Sequence, residues 1–331
     1  MKFGFKLSIH GQHTSTKFSD LVDLAVMAEG EGFDGVFVVD HLLLPGSRLT
    51  GYTNAPANRP YFLDAWTSLA AIAQATKTVR IGPQVTPIGL RHPVFIAKWG
   101  ATVDQISEGR LLLQVGAGHQ KIEYESYGFE YPNLARRVER LREGIHVIRE
   151  LWESEETANY EGDHYVLKDV PFFPKPYQER PEIWLGGGSA TVRSLVAELG
   201  DGWSPAAPQG GGLTPQTFSE AMKEIRDQQT DKRHIKAAAL FYAIVTDDPA
   251  EIDRGLDMLR RRTDWAEYDV DEFRRRAIVL AGSASQIVDY IKEYEASGME
   301  YISLAFLPTD DHDATRRMID IVGRDVIPHF A

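Results

Sequence analysis

The chain has no cysteine in its 331 residues. That excludes disulfides, zinc–thiolate and iron–sulfur sites, and a thiol nucleophile, as chemistry within the chain. Apolar runs of membrane-spanning length are also missing. Residues 1–8 read as a strand that starts at once, not as the apolar core of a secretion signal, so a cytoplasmic location is expected. A basic excess is lacking too. With 36 Lys and Arg against 48 Asp and Glu, the formal charge is -12. Such a surface repels nucleic-acid backbones and anionic membranes, yet it leaves room for a local pocket that takes a phosphate. What remains is 43% hydrophobic and 25% charged, the composition of a globular protein with a sizeable core.

Short β-like runs alternate with longer segments of helical period. Strands are predicted at 3–8, 35–39, 79–85, 110–115, 182–185, 202–204, 237–245 and 301–306. Helices are predicted at 18–31, 64–76, 93–107, 134–152, 190–199, 215–228, 284–297 and 314–326. Eight strand–helix repeats predict the α/β class and a (β/α)8 TIM barrel. Ser19 or Asp20 is placed to cap the first helix, and Gly32 and Gly109 to end helices in the left-handed conformation. Asp248-Pro249 puts a proline at the start of a further helix, at 250–262. Two insertions are expected: a hairpin and loop at 157–180, after helix four, and a charged helical stretch at 247–281, between strand seven and helix seven. No Gly/Ser-rich linker interrupts the chain, so one domain spanning 1–331 is expected.

In such barrels the active site lies at the C-terminal ends of the strands. Those ends carry Ser8-Ile9-His10, Asp40-His41, Thr86-Pro87, Gly116-Ala117-Gly118-His119, Gly186-Gly187-Gly188-Ser189, Trp203-Ser204 and Phe306-Leu307. The glycine triplet is the most informative. It follows the apolar run 182–185 and opens a helix at Ala190, the arrangement in which glycines allow close approach of a phosphate and helical N–H groups point at it. A ligand-free flexible turn is the plain alternative. The histidines have plain readings as well: His41 as a turn cap, His119 as a solvated loop residue, His10 and His13 as members of a polar loop. Glu123-Tyr124 reads as a brace for the following loop, and the arginine runs at 136–137, 260–262 and 274–276 as solvated helix faces. His10 and His13 lie three apart in a loop, and no second pair of strand-end histidines completes a cage, so no metal site is predicted.

An ordered set of segments runs along nearly the whole chain. It comprises Asp40-His41, Arg80-Ile81-Gly82 through Val85-Thr86-Pro87, Arg91-His92-Pro93 and the stretch from Thr102 to Arg110. It continues with Gly116-Ala117-Gly118, Glu123-Tyr124, the stretch from Arg137 to Leu141, Gly186-Gly187-Gly188 and Gly200-Asp201-Gly202-Trp203. With this set the chain resembles the luciferase-like flavin/deazaflavin oxidoreductase superfamily. Asp40-His41 makes it more similar to the branch that uses the deazaflavin coenzyme F420 than to the branch that uses FMN.

The resemblance implies a ring lying across the barrel mouth, with Asp40 and Thr86 near its polar edge. It implies a non-prolyl cis peptide among Pro83, Gln84 and Val85, against the ring face. Ala117 and Gly118 would lie along the cofactor tail, and Gly186, Gly187, Gly188, Ser189, Ala190 and Thr191 would surround its phosphate. One departure stands out. Deazaflavin sugar-phosphate dehydrogenases carry a glutamate directly after the strand-four Gly-x-Gly, where this chain has His119. His41 is then expected to handle the proton, with Asp40 fixing it or binding the ring, and His119 to donate a proton or touch the substrate. Tyr52, Tyr61, Phe62, Trp66 and Phe306 are expected to line a moderately hydrophobic pocket for a small-molecule substrate. A homodimer through helices two and three is implied. The alternatives are an FMN-dependent monooxygenase fed by a separate reductase, and a non-catalytic flavin-binding protein.

Overall fold

Strands buried on both faces read as continuous apolar runs, and eight of them make the barrel. The computed structural model describes residues 1–11, 17–42, 61–210, 212–260, 265–309 and 311–331. The expectations for His13, Tyr52, Arg261 and Arg262 lie outside these residues, and of His10 and Tyr61 only the backbone is described. The barrel strands are β1 (Lys2–Leu7), β2 (Gly35–Val38), β3 (Arg80–Pro83, resuming at Thr86–Pro87) and β4 (Leu113–Gly116). They continue with β5 (Ile183–Leu185), β6 (Gly202–Trp203), β7 (Lys236–Val245) and β8 (Tyr301–Phe306). All pair in parallel, and β8 returns beside β1. The ring closes through β3, whose first half pairs with β2 and whose second half pairs with β4.

Between those halves the Gln84–Val85 peptide is cis, within the stretch where the resemblance puts it. The strand predicted as continuous over 79–85 is therefore interrupted at its last two residues.

The amphipathic helices cover the barrel. In Leu134–Glu153 the buried residues Val138, Leu141, Ile145, Ile148 and Trp152 recur every three or four positions, which turns one stripe to the core. Trp152 spans to the neighbouring helix Pro93–Ile106, donating its indole N–H to the Ala97 carbonyl at 3.0 Å. The hairpin expected after helix four is present as the antiparallel pair Ala158–Glu161 and Val166–Val170. The second insertion differs from its purely helical reading. It holds the helices Pro249–Arg260 and Val270–Arg275, then ends in a strand, Val279–Gly282, that pairs in parallel with the last four residues of β7. The first helix, Phe18–Gly30, starts where expected, but its cap position is Lys17 and not Ser19 or Asp20, and Asp20 accepts the Lys17 amide from inside the first turn.

Two of the motif segments prove to be framework. Arg110 donates to the carbonyls of Ala73, Thr76, Val79 and Ser107 at 2.7 to 3.0 Å, tying the end of one helix to the start of β3. Asp104 accepts the Leu111 amide at 3.1 Å, and Asp201 accepts the Ile183 amide at 2.8 Å and the Arg180 guanidinium at 2.8 Å.

Candidate functional site

The C-terminal rim gathers side chains far apart in sequence. Two residues past β2, Asp40 is 1% exposed, and its carboxylate accepts the Thr86 hydroxyl at 2.8 Å and the Arg91 guanidinium at 2.9 Å. Burial pushes the Asp40 carboxyl above its ordinary range, and the Arg91 charge pulls the other way. Of the two roles expected for Asp40, fixing His41 is not the one its hydrogen bonds serve. His41 is held instead by Glu123, whose Oε2 lies 2.8 Å from Nδ1, and the other carboxylate oxygen accepts the Leu42 amide. Glu123 is 1% exposed and sits on a short helix, Lys121–Ser126, that follows the β4 loop. The His119 ring stands edge-on to that of His41, centroids 5.6 Å apart, and Phe62 flanks the His41 ring at 6.4 Å. His41, His119 and Phe62 thus come together.

Gln84 and Val85 serve different ends. Gln84 is buried and points into the barrel, donating to Ser204 Oγ at 3.3 Å and Ser303 Oγ at 3.1 Å. Val85 fills the space between the ends of β4 and β5. A Cβ on Gly116 would lie 2.9 Å from one of its methyls, and a Cβ on Gly186 would lie 2.7 Å from the other. Gly186 is thus fixed by packing against Val85.

The rest of the turn has the geometry of an anion site. Gly187 has φ +115°, a conformation that suits glycine, and its carbonyl accepts the Trp203 indole N–H at 2.8 Å. Gly188 has open space where a Cβ would stand. Ser189 caps the helix Ala190–Leu199, its hydroxyl accepting the Val192 amide at 3.3 Å. Among the described residues, the amides of Gly187, Gly188, Ala190 and Thr191 are not taken by the chain. Four free N–H groups at the positive end of a ten-residue helix form a ready anion cradle. Ala117 is buried, and Gly118, at φ +80°, leaves a Cβ no room: it would sit 2.0 Å from the Tyr124 hydroxyl. Arg137 binds the Gly118 carbonyl and stacks over the Tyr131 ring at 4.1 Å.

Two of the expected pocket residues belong elsewhere. Phe306 is 3% exposed and packs on Phe5 and Phe33 in the core, and Trp66 is buried against Trp99. Aromatic type alone did not distinguish core from lining. Reading the sequence also missed the partners Glu123, Arg91 and Trp203. The signal available for Glu123 was its place five residues past the β4 Gly-x-Gly; it read as a loop brace because the loop after β2 gave no hint of touching it.

A closed parallel barrel with an anion cradle and a part-buried His–Glu pair on its C-terminal rim defines the class of cofactor-dependent barrel enzymes. The luciferase-like monooxygenase family model matches residues 1–301, and the chain belongs to that family. It is similar to F420-dependent glucose-6-phosphate dehydrogenase of Segniliparus rotundus, with 34% identity covering 100% of this chain and 98% of that protein. The protein of the same name from Amycolatopsis mediterranei is 30% identical, over 93% of each chain. Among solved structures, an F420-dependent secondary alcohol dehydrogenase in complex with an F420-acetone adduct superposes with a TM-score of 0.80, at 23% identity over 98% of each chain. Monooxygenase RslO1 from Streptomyces bottropensis gives 0.79 at 22% identity, over 100% of each chain. The fold is therefore common to dehydrogenases and monooxygenases.

Proposed function

We propose that the protein is an F420-dependent oxidoreductase that moves a hydride between the deazaflavin and a small organic substrate, with His41 managing the accompanying proton. The observation that carries this reading is the 34% identity, end to end, to a relative named as an F420-dependent dehydrogenase. The chain's own residues fit the group. The free amides of Gly187, Gly188, Ala190 and Thr191 would take its phosphate, Ala117 and Gly118 present little bulk along its tail, and Asp40 and Thr86 stand at the polar rim. When bound, the deazaflavin supplies a carbon-centred hydride carrier that reacts poorly with oxygen. His41, at the rim beside His119 and Phe62, holds or passes the proton. His119, in place of the glutamate of the sugar-phosphate enzymes, argues for a substrate other than a sugar phosphate.

Titration with F420 and with FMN tests the cofactor: tight F420 binding with negligible FMN affinity is expected, and the reverse would establish the FMN monooxygenase reading instead. In the F420-loaded enzyme, His41→Ala should lower turnover about 10²- to 10⁴-fold while leaving cofactor affinity within about threefold. Unchanged turnover removes His41 from the mechanism. The protein is also read as a single-domain homodimer. Support comes from the exposed Phe95, stacked on Trp99 at 5.5 Å on the helix Pro93–Ile106, with exposed Phe173 and Tyr177 nearby. Sedimentation should give twice the 37.1 kDa chain mass, and a monomer at micromolar concentration would refute it.

A further inference from the structure

The geometry points to Glu123 as the positioning residue of the site: it keeps the proton on Nδ1 of His41, so that Nε2 is the nitrogen that gains and loses one. This rests on His41 being the proton handler proposed above. Glu123 is 1% exposed and both of its oxygens are committed, Oε1 to the Leu42 amide and Oε2 to His41 Nδ1 at 2.8 Å. The Leu42 amide can only donate, so Oε1 must accept, and this locks the carboxylate plane. An ionised carboxylate accepts on both oxygens, so the ring nitrogen facing Oε2 carries hydrogen. The restraint is double, because the same carboxylate grips the backbone one residue past His41 and so sets the Cα position from which the ring projects. Among the described residues Nδ1 is the only atom of the ring that forms a hydrogen bond. The other groups around the ring do not compete for Nδ1. Phe62 is apolar, His119 meets the ring edge-on at 5.6 Å, and Asp40 is occupied by Thr86 and Arg91.

Glu123→Gln tests the tautomer directly. A glutamine has one oxygen, which the Leu42 amide must take; its NH₂ then faces Nδ1, and the ring has to answer with a lone pair there. The neutral ring should switch from Nδ1–H to Nε2–H. The readout is the two-bond ¹H–¹⁵N pattern of His41 in ¹⁵N-histidine-labelled cofactor-free protein, with the signal assigned by its absence in His41→Asn. Wild type should show the Nδ1–H pattern and Glu123→Gln the Nε2–H pattern. In the F420-loaded enzyme Glu123→Gln should lower turnover about 10²-fold or more. The double variant with His41→Ala should fall no more than about twofold below His41→Ala alone.

An Nε2–H pattern in the wild type overturns the proposal, even if Glu123→Gln does not fold. An Nδ1–H pattern that persists in Glu123→Gln overturns it as well, as does additive loss in the double variant. The tautomer is read without any cofactor, so the wrong cofactor would spoil the turnover arm alone.

Discussion

Glycines at the rim carry different obligations, and these separate at the level of single atoms. Gly118 is held at φ +80° with the Tyr124 hydroxyl where a Cβ would go, whereas Gly188 faces open space. Gly118→Ala should therefore cost about 1 to 3 kcal/mol of stability, seen as a lower urea midpoint. Gly188→Ala should leave stability within about 0.5 kcal/mol yet weaken cofactor binding about tenfold, read by titration. Equal stability losses in the two variants would contradict this division. Asp40, His41, Thr86 and the glycine turn were legible in the sequence because strand ends can be counted. Their partners were not. Glu123 lies 82 residues from His41, and Arg91 lies 51 from Asp40, and only closure of the barrel decides which loops meet.

Among the elements, strong periodicity was read well and short pieces poorly. All eight barrel strands lie at or close to their predicted positions, since each is an apolar run flanked by turn residues. The six-residue helix Lys121–Ser126, which carries Glu123, is too short to display a helical period. The strand Val279–Gly282 was hidden at the end of a charged helical stretch. The turn after β5 is held from below by β6: Trp203 stacks on Phe218 at 5.6 Å and donates to the Gly187 carbonyl. Trp203→Phe keeps most of the stacking and loses that hydrogen bond, worth about 1 kcal/mol. Cofactor affinity should drop about fivefold with secondary structure unchanged, as titration and circular dichroism would show. Unaltered affinity would mean that the turn holds its shape without the indole.

At the scale of the molecule, the two ends of the barrel respond to acid with opposite sign. At the N-terminal face, Glu29 accepts the amides of Lys77, Thr78 and Val79 at 2.7, 2.5 and 3.1 Å, and Glu300 accepts the Ala237 amide at 3.0 Å and His234 Nε2 at 2.8 Å. Burial pulls both carboxyls upward, but these hydrogen bonds prevail and hold them below the ordinary 4.5. The folded state thus binds those protons more weakly than the unfolded chain. The stabilisation is complete above the ordinary value and is lost as pH falls through the lowered ones. At the mouth Asp40 is raised, so its folded form takes up a proton more readily and offsets part of this loss. Glu29→Gln with Glu300→Gln should lower the urea midpoint at pH 7 and match the wild type near pH 3. A constant gap at both values would show that the carboxylates act through packing alone. None of the helices among the described residues is long and apolar enough to cross a membrane.

Trp203 also gives the protein an optical sensor of its own. Its indole N–H is tied to the Gly187 carbonyl, next to the free amides of the cradle, so an anion drawn onto that turn changes the field across the ring. Emission from this one buried indole should shift on occupancy, and comparison with Trp203→Phe isolates its signal from that of the other five tryptophans. Inorganic phosphate alone would then report on the cradle before any coenzyme or substrate is in hand.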